Sequence, residues 1–424
     1  MKEVVILGAG LSGLAAGWYL NKKWGSQINI TLLEKSDRVG GWIRTIHQNG
    51  FLFEQGPHGF RPTGKGRATL DLVQDLGLKS KLIAANPSAK KRYLMLDGSL
   101  HRFSLKLLLK HGFLQGCFRD WKTPPSSEED ETIAHFFERR FNASFTETFV
   151  DSIVKGIYGG DMTKLSCRSC FPAFWKWEKQ KGSLIRGFLA APKEKSVPLY
   201  SFQEGMELLP KTLAAQLPAT ILLSTPVKMI EKREKNFMVH LDHETIKADY
   251  LVSALPSFAL AQIFSPLKPL LDIPFVTLSI VHLGWHANVL KKQGFGFLVP
   301  SKEKQALLGM IWDSSVFPSQ NRGKQTRLTL MISGSYSHHD LVTMARQYID
   351  SHLQISKPPD EVLTTVANNA IAQYPINHHL HLQKLKEALP EGMTLLGNSF
   401  YGVGVNDCIA SSQAIYNRLN LKMV

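Results

Sequence analysis

Residues 4–7 (Val-Val-Ile-Leu) are an unbroken β-branched and aliphatic run, the pattern of a strand covered on both faces in a parallel sheet. The run enters a glycine-rich turn, and residues 14–20 then place small and apolar side chains at helical spacing. A second apolar run, Ile28–Leu33, ends at Glu34. Together they predict a strand–helix–strand crossover at the start of the chain. Far downstream, residues 225–230, the alternating residues 237–241 and the apolar residues 248–252 predict strands that return to this first unit. Residues 395–398 predict a last buried strand, and residues 402–405 the start of a helix. Residues 85–190 read as helical and basic, and residues 260–385 as strands mixed with helices. Linker-like composition is confined to residues 124–130 and 191–197.

Two 18-residue stretches, 250–267 and 273–290, carry no Asp, Glu, Lys or Arg and approach the length of a membrane span. Pro, Ser, Gln and His interrupt them, and their β-rich cores at 251–255 and 275–281 predict buried strands instead.

With 424 residues, 44% of them hydrophobic and 20% charged, the chain can bury a large core divided among two or three domains. Its four cysteines, Cys117, Cys167, Cys170 and Cys408, are too few for a disulfide framework, which points to a reducing compartment. The Cys167-x-x-Cys170 pair has no second pair or histidine cluster near it, so thiols packed in a helix are expected and no metal site. A strand beginning at residue 4 leaves no room for a secretory leader, and the mature chain is expected to start here.

The net charge of +15 calls for an anionic partner: nucleic acid, an acidic membrane or a carboxylated substrate. No nucleic-acid motif accompanies it, so nucleic acid is not expected. Lys106, Lys110, Arg119 and Lys122 alternate with Leu107, Leu108, Leu109, Phe113, Leu114, Phe118 and Trp121. Trp175, Lys176, Trp177, Lys179, Lys181 and Arg186 repeat the mixture. Such a pattern fits an interfacial segment or an amphipathic helix packed inward, and the pattern alone leaves both open.

The chemistry lies in the first turn. In Gly8-Ala9-Gly10-Leu11-Ser12-Gly13, Gly8 permits a tight turn, Gly10 lets backbone approach a pyrophosphate, and Gly13 lets the helix pack close to the strand. The amides at the helix start then face the phosphates. Glu34, 21 residues past Gly13, suits the ribose hydroxyls and would repel a 2′-phosphate, which favours FAD or NAD over NADP. A second glycine pair, Gly40-Gly41, follows with Arg38 ahead of it and Trp42 behind it, and Gly56-Pro57-His58-Gly59 comes soon after. Two backbone segments able to approach one pyrophosphate move the choice to FAD.

Glu34, Arg38, Gly40, Gly41 and Trp42 resemble the fingerprint of the flavin-containing amine oxidase superfamily. Residues 41–44, 53–57, 168–172, 293–296, 298–300, 313–314, 317–318 and 402–409 resemble the protoporphyrinogen oxidase family within it. The likeness spans nearly the whole chain and is most specific at 402–409. Two departures stand out: Glu204-Gly205-Met206 replaces the usual glycine pair, and His58 occupies a position often held by arginine.

The resemblance implies an α/β (α+β) architecture. A Rossmann-like FAD-binding domain (1–84 with 200–258 and 386–424) is interleaved with a helical, membrane-associating domain (85–199) and a mixed α/β substrate domain (259–385). It implies non-covalent FAD, with Val227 presenting backbone to the adenine and Asn398, Val403, Gly404 and Val405 near the flavin end. It further implies oxidation of protoporphyrinogen IX to protoporphyrin IX: a bridging carbon gives hydride to the flavin, and dioxygen reoxidises it to yield hydrogen peroxide. Arg92 matches the propionate-binding arginine, and Phe295, Leu298 and Met331 align with apolar residues that sandwich the tetrapyrrole. None of the fifteen histidines is singled out as a catalytic base. Peripheral attachment to an anionic membrane, on the cytoplasmic side, is the expected location. The sequence leaves the oligomeric state open, with a homodimer as one option. The alternatives are coproporphyrinogen III oxidation, amine oxidation, and a non-catalytic binder of the Rab-escort kind.

Overall fold

A computed structural model of the chain describes residues 1–192 and 197–415. Residues 193–196 of the linker-like stretch and 416–424 of the C-terminal segment lie outside the described residues.

The expected crossover is present as β1 (Lys2–Leu7), α1 (Leu11–Trp24) and β2 (Ile28–Leu33). β1 pairs in parallel with β2 on one side and with strand Tyr250–Ser253 on the other. Met393–Leu395 and Thr220–Leu222 complete a five-stranded parallel sheet. Val4, Val5, Ile6 and Leu7 are all buried, as an unbroken apolar run requires. Residues 2–7 and 393–395 therefore lie in one sheet.

The strand expected over residues 225–230 starts only at Met229, and Val227 sits in the loop before it. Pro226 has no amide to give to a ladder, so the strand begins beyond it. Met229–Lys232, Phe237–His240 and Thr245–Ala248 form a separate antiparallel sheet.

A second large sheet has seven strands in the order Glu361–Ala372, Phe275–Trp285, Thr326–Ser333, Leu307–Ile311, Gly296–Leu298, Tyr93–Leu96 and Ser99–Arg102. The last two correct the helical reading of residues 85–190. They form a hairpin turned by Asp97 and Gly98, both at positive φ, a turn pair whose backbone twist matches that of the flanking strands. One face of this sheet, with Val281, Leu283, Leu328, Leu330 and Ile332, packs in a cluster with Leu341, Ala345 and Ile349 of helix His338–Leu353. Ile280, His282, Thr329 and Met331 alternate with those residues and belong to the opposite face.

Helix Asp151–Tyr158 lies over that opposite face. A Cβ at Gly156 would stand 2.8 Å from the Leu298 side chain, and one at Gly159 would stand 3.1 Å from that of Leu278. The Asp151 carboxylate accepts from the Ser301 amide (2.6 Å) and hydroxyl (2.9 Å), which anchors the helix start to the sheet.

Helices Phe113–Lys122, Ile133–Arg140 and Pro172–Lys181 meet at Arg140, which is fully buried. Its guanidinium donates to Glu178 (2.7 Å), to the Asp120 carboxylate (3.1 Å), and to the carbonyls of Asp120, Thr123, Gly182 and Pro124. Cys167 and Cys170 fall in a short helix, as expected, and burial pushes both thiols up, that of Cys170 to about 12. Among the described residues no helix is long and apolar enough to cross a membrane.

Candidate functional site

The helix that follows β1 begins on Gly10 with no side chain capping it, so its first amides are left without intrahelical partners. A Cβ at Gly13 would stand 1.9 Å from the Gly8 carbonyl oxygen, so only glycine lets α1 start this close to the strand. Opposite the helix start runs the second glycine turn. The Gly40 amide donates to the Ala9 carbonyl (2.9 Å), and a Cβ at Gly41 would stand 3.3 Å from the Gly10 Cα. At Gly10 itself the nearest atom to a Cβ is 3.8 Å away, so two bare backbones face each other with no side chain between them.

Glu34 accepts from the Ala9 amide (2.9 Å) with one oxygen and from the Ser36 amide (3.0 Å) and hydroxyl (2.8 Å) with the other. A carboxylate holds about four lone-pair sites. Three are used, so the group keeps capacity for a hydroxyl. Residues 224–227 come to the same end of β2, since Ser224 and Thr225 donate to the carbonyls of Ser36 and Glu34 (2.8 Å each). Arg38 spends its guanidinium on the turn, donating to the carbonyls of Val39 (3.0 Å), Ile43 (3.3 Å) and Gly41. Burial lowers its pKa, and neighbouring Arg44 adds to the effect.

Gly56 to Gly59 run from this cradle to a second one. A Cβ at Gly56 would stand 2.1 Å from the Trp42 carbonyl, so the segment is pressed against the glycine turn. Beyond it, the Arg61 carbonyl accepts from the Asn406 amide group (2.8 Å) at the start of helix Val405–Gln413, whose cap residue is Gly404. That helix is tied to the first one through the Ser412 hydroxyl and the Ser12 carbonyl (2.9 Å). The Tyr374 hydroxyl donates to the Asn398 carbonyl and accepts from the Gly402 amide (2.9 Å), which fixes the turn before Val403. The uncapped start of α1, the start of helix Val405–Gln413, where Asp407 holds the Gly404 amide (3.2 Å), two glycine turns and a free acceptor at Glu34 are the donors and acceptor a dinucleotide needs.

The residues expected to meet substrate divide into two groups. Leu298 and Met331 both pair with Gly309, from either side, so they share a row and a sheet face with Ile280. Both side chains are half-buried, and a Cβ at Gly309 would stand 3.0 Å from that of Leu298. Arg92 precedes the strand Tyr93–Leu96, and its guanidinium lies 5.4 Å from the centre of the half-buried Phe295 ring. Partial burial and neighbouring Arg61 both lower the Arg92 pKa, and no ion pair to it is found among the described residues.

Sequence reasoning did not single out the polar cluster beneath this face. His58 Nδ1 lies 2.7 Å from Asp313, whose other oxygen accepts from the Thr329 hydroxyl (2.7 Å). That hydroxyl has one proton to give, so His282 Nδ1, 2.9 Å away, must donate to it. Nδ1 of His282 therefore carries a proton, and burial pushes the ring's pKa down to about 3, which keeps it neutral. Burial alone would lower the His58 pKa, but the charge and hydrogen bond of Asp313 outweigh it and raise it. Burial would raise Asp313, and His58 brings it down instead. Nearby Glu54 accepts from the Met206 amide (2.7 Å) and the Thr45 hydroxyl (2.9 Å), and its burial pushes it up to about 7. The signal was present in the alternation of residues 326–333, where Arg327 and Thr329 take the positions shared by Met331.

The flavin-containing amine oxidoreductase family profile matches residues 11–414. The chain belongs to that family, and its cofactor is FAD. Within it, the chain is 33% identical to protoporphyrinogen oxidase of Bos taurus and 32% identical to that of Homo sapiens, with 97% of each chain covered in both cases. Coproporphyrinogen III oxidase of Bacillus subtilis is 27% identical over 97% of each chain. Among solved structures, an Exiguobacterium protein provisionally named protoporphyrinogen oxidase superposes with a TM-score of 0.86 at 22% identity, covering 100% of this chain and 99% of that one. Cyclohexylamine oxidase of Brevibacterium oxydans superposes at 0.72 with 17% identity, covering 98% and 99%, which extends the same fold to amine oxidation.

Proposed function

We propose that the protein is an FAD-dependent oxidase that converts protoporphyrinogen IX to protoporphyrin IX, with dioxygen as acceptor and hydrogen peroxide as product. The observation that carries this reading is the likeness to the two mammalian protoporphyrinogen oxidases over 97% of the chain. FAD supplies the two-electron acceptor, which the side chains cannot.

The protein's own part is binding, orientation and exclusion of water. Gly8 to Gly13, Glu34, Gly41 and Trp42 hold the pyrophosphate and ribose. Gly56 to Gly59 lie along the cofactor, and the start of helix Val405–Gln413 takes its flavin end. Leu298 and Met331 offer apolar edges to a flat macrocycle, with helix Asp151–Tyr158 packed directly against Leu298 beside it. Arg92, lacking an acidic partner among the described residues, takes a propionate while Phe295 supports its guanidinium. Replacing Arg92 with leucine is expected to raise KM for protoporphyrinogen about 10- to 100-fold with little change in kcat, since a charge-assisted hydrogen bond is worth roughly 1.5–3 kcal/mol. Equal KM values for variant and wild type would remove Arg92 from the site. Initial rates on protoporphyrinogen IX and coproporphyrinogen III test the substrate assignment, and faster turnover of the second would replace it.

The exposed apolar residues support peripheral membrane contact. Phe103, Leu105, Leu109, Leu114, Phe118, Trp121, Phe188 and Leu189 are all exposed. They lie on or beside three helices, with Lys106, Lys110, Arg119 and Lys122 among them. Trp175 departs from the interfacial pattern, being buried with Lys179 stacked over it at 4.8 Å. Replacing Lys106, Lys110 and Arg119 with glutamate should weaken binding to anionic vesicles by at least about 100-fold, at roughly 1 kcal/mol per basic residue. Unchanged cosedimentation would rule out this surface.

A further inference from the structure

Outside the cofactor cradle the most unusual group of side chains is the buried set Glu54, His58, Asp313, Thr329, His282 and Arg327. It joins elements far apart in sequence. Glu54 ends the strand Phe51–Glu54, His58 lies in the turn after it, Asp313 starts a short helix, and the other three come from two central strands of the seven-stranded sheet. Thr45 and the Met206 amide complete the shell of Glu54. Arg327 is held by the carbonyls of Leu52 (2.7 Å) and Phe317 (3.2 Å) and by Asn321 (3.0 Å), so its charge stays in place.

The cluster's position follows from its ends. Gly56 presses on Trp42, next to the glycine turn that faces Gly10, and Arg61 is bonded to Asn406 at the second helix start. His58 lies between those contacts, so it runs beside the cofactor those elements hold. A group there feels the charge the cofactor gains on reduction.

We propose that Glu54 and His58, set by Asp313, compensate charge for the flavin, with Glu54 taking up one proton when the bound cofactor is reduced and releasing it on reoxidation. This rests on the FAD assignment. Asp313 lies against His58 and raises its pKa by its charge and hydrogen bond, which favours the imidazolium form beside the cofactor. Glu54 is the titrating partner: its carboxyl lies near neutrality, and added negative charge beside it raises its proton affinity further. His282 stays neutral and Arg327 stays charged, so neither competes for the proton. The protons balance. As substrate loses two electrons and two protons, one proton travels with the electrons to the cofactor and one is bound by the Glu54 carboxylate. As dioxygen leaves as hydrogen peroxide, it takes both electrons, the cofactor's proton and the Glu54 proton.

The test is the midpoint potential of the bound flavin as a function of pH, in the wild-type holoprotein and in Glu54→Gln, with His58→Gln as a second variant. Two protons per two electrons give a slope about twice that of one proton per two electrons. Above about pH 7, where the Glu54 carboxyl of the oxidised protein is ionised, the wild type should follow the steeper line until the raised proton affinity of the reduced protein is passed, and Glu54→Gln should follow the shallower one throughout. His58→Gln should hold FAD with a lower potential throughout. A merely structural role would leave the slope unchanged, so parallel lines for wild type and Glu54→Gln overturn the proposal while leaving the flavin assignment intact. A wild-type protein that binds no flavin overturns both.

Discussion

Gly13→Ala should yield a colourless protein. The new Cβ would meet the Gly8 carbonyl oxygen at 1.9 Å, a backbone atom of the same turn that cannot swing aside. Either α1 lifts off β1 or the turn opens, and each moves the helix amides away from the Gly40-Gly41 backbone. FAD affinity should fall by at least about 100-fold, the equivalent of roughly 3 kcal/mol in binding. Gly17→Ala on the same helix is the matched control. It gains the same helix propensity, about 1 kcal/mol, but its Cβ approaches only the flexible tip of Leu217, at 2.9 Å. Flavin absorbance after gel filtration separates the two, with Gly17→Ala yellow. Stoichiometric FAD in Gly13→Ala would show that the close approach is not what forms the cradle.

Arg140→Ala should be the most damaging change to the helical region. It strips a buried guanidinium from Glu178 and Asp120, and breaking a buried ion pair from one side costs roughly 3–5 kcal/mol. Asp120 keeps the Ser183 hydroxyl and the amides of Leu184 (3.2 Å) and Ile185 (2.9 Å). Glu178 keeps only Arg139 (2.7 Å) and so bears most of the loss. Urea titration should show the drop, and hydrogen exchange should place it in helices Phe113–Lys122 and Pro172–Lys181 while the parallel sheet stays protected. A double variant with Glu178 also made apolar should recover part of it. Uniform loss of protection through both regions would mean that Arg140 supports the whole fold.

The first crossover was legible because its causes are local. The apolar run of β1, the glycines that follow and the interval to Glu34 all lie within one stretch of chain. The same holds for the thiols of Cys167 and Cys170. What composition hid was set by pairing. Residues 93–102 were averaged into a basic helical stretch, although Asp97-Gly98 was a hairpin signal inside it. Trp175 sat among lysines and read as interfacial, yet its ring turned inward while Phe118 and Phe188 stayed out. The polar cluster was legible only in part, through Arg327 and Thr329 on one face of their strand. His58 and Asp313 are 255 positions apart, and nothing near either one points to the other. Only the sheet register brings Thr329 and His282 into line beneath them.

The parallel sheet needs its final strand from residues 393–395, paired with Leu251 to Ser253, and α1 leans on a helix that reaches residue 413. During synthesis the glycine turn emerges first and waits for nearly the entire chain before its opposing helix exists. Cofactor capture is thus expected only after residues 393–413 have joined the crossover. A chain halted shortly before residue 405 would carry every glycine of the opening turn and still hold no flavin, so the colour of the protein reports that helix Val405–Gln413 has joined α1.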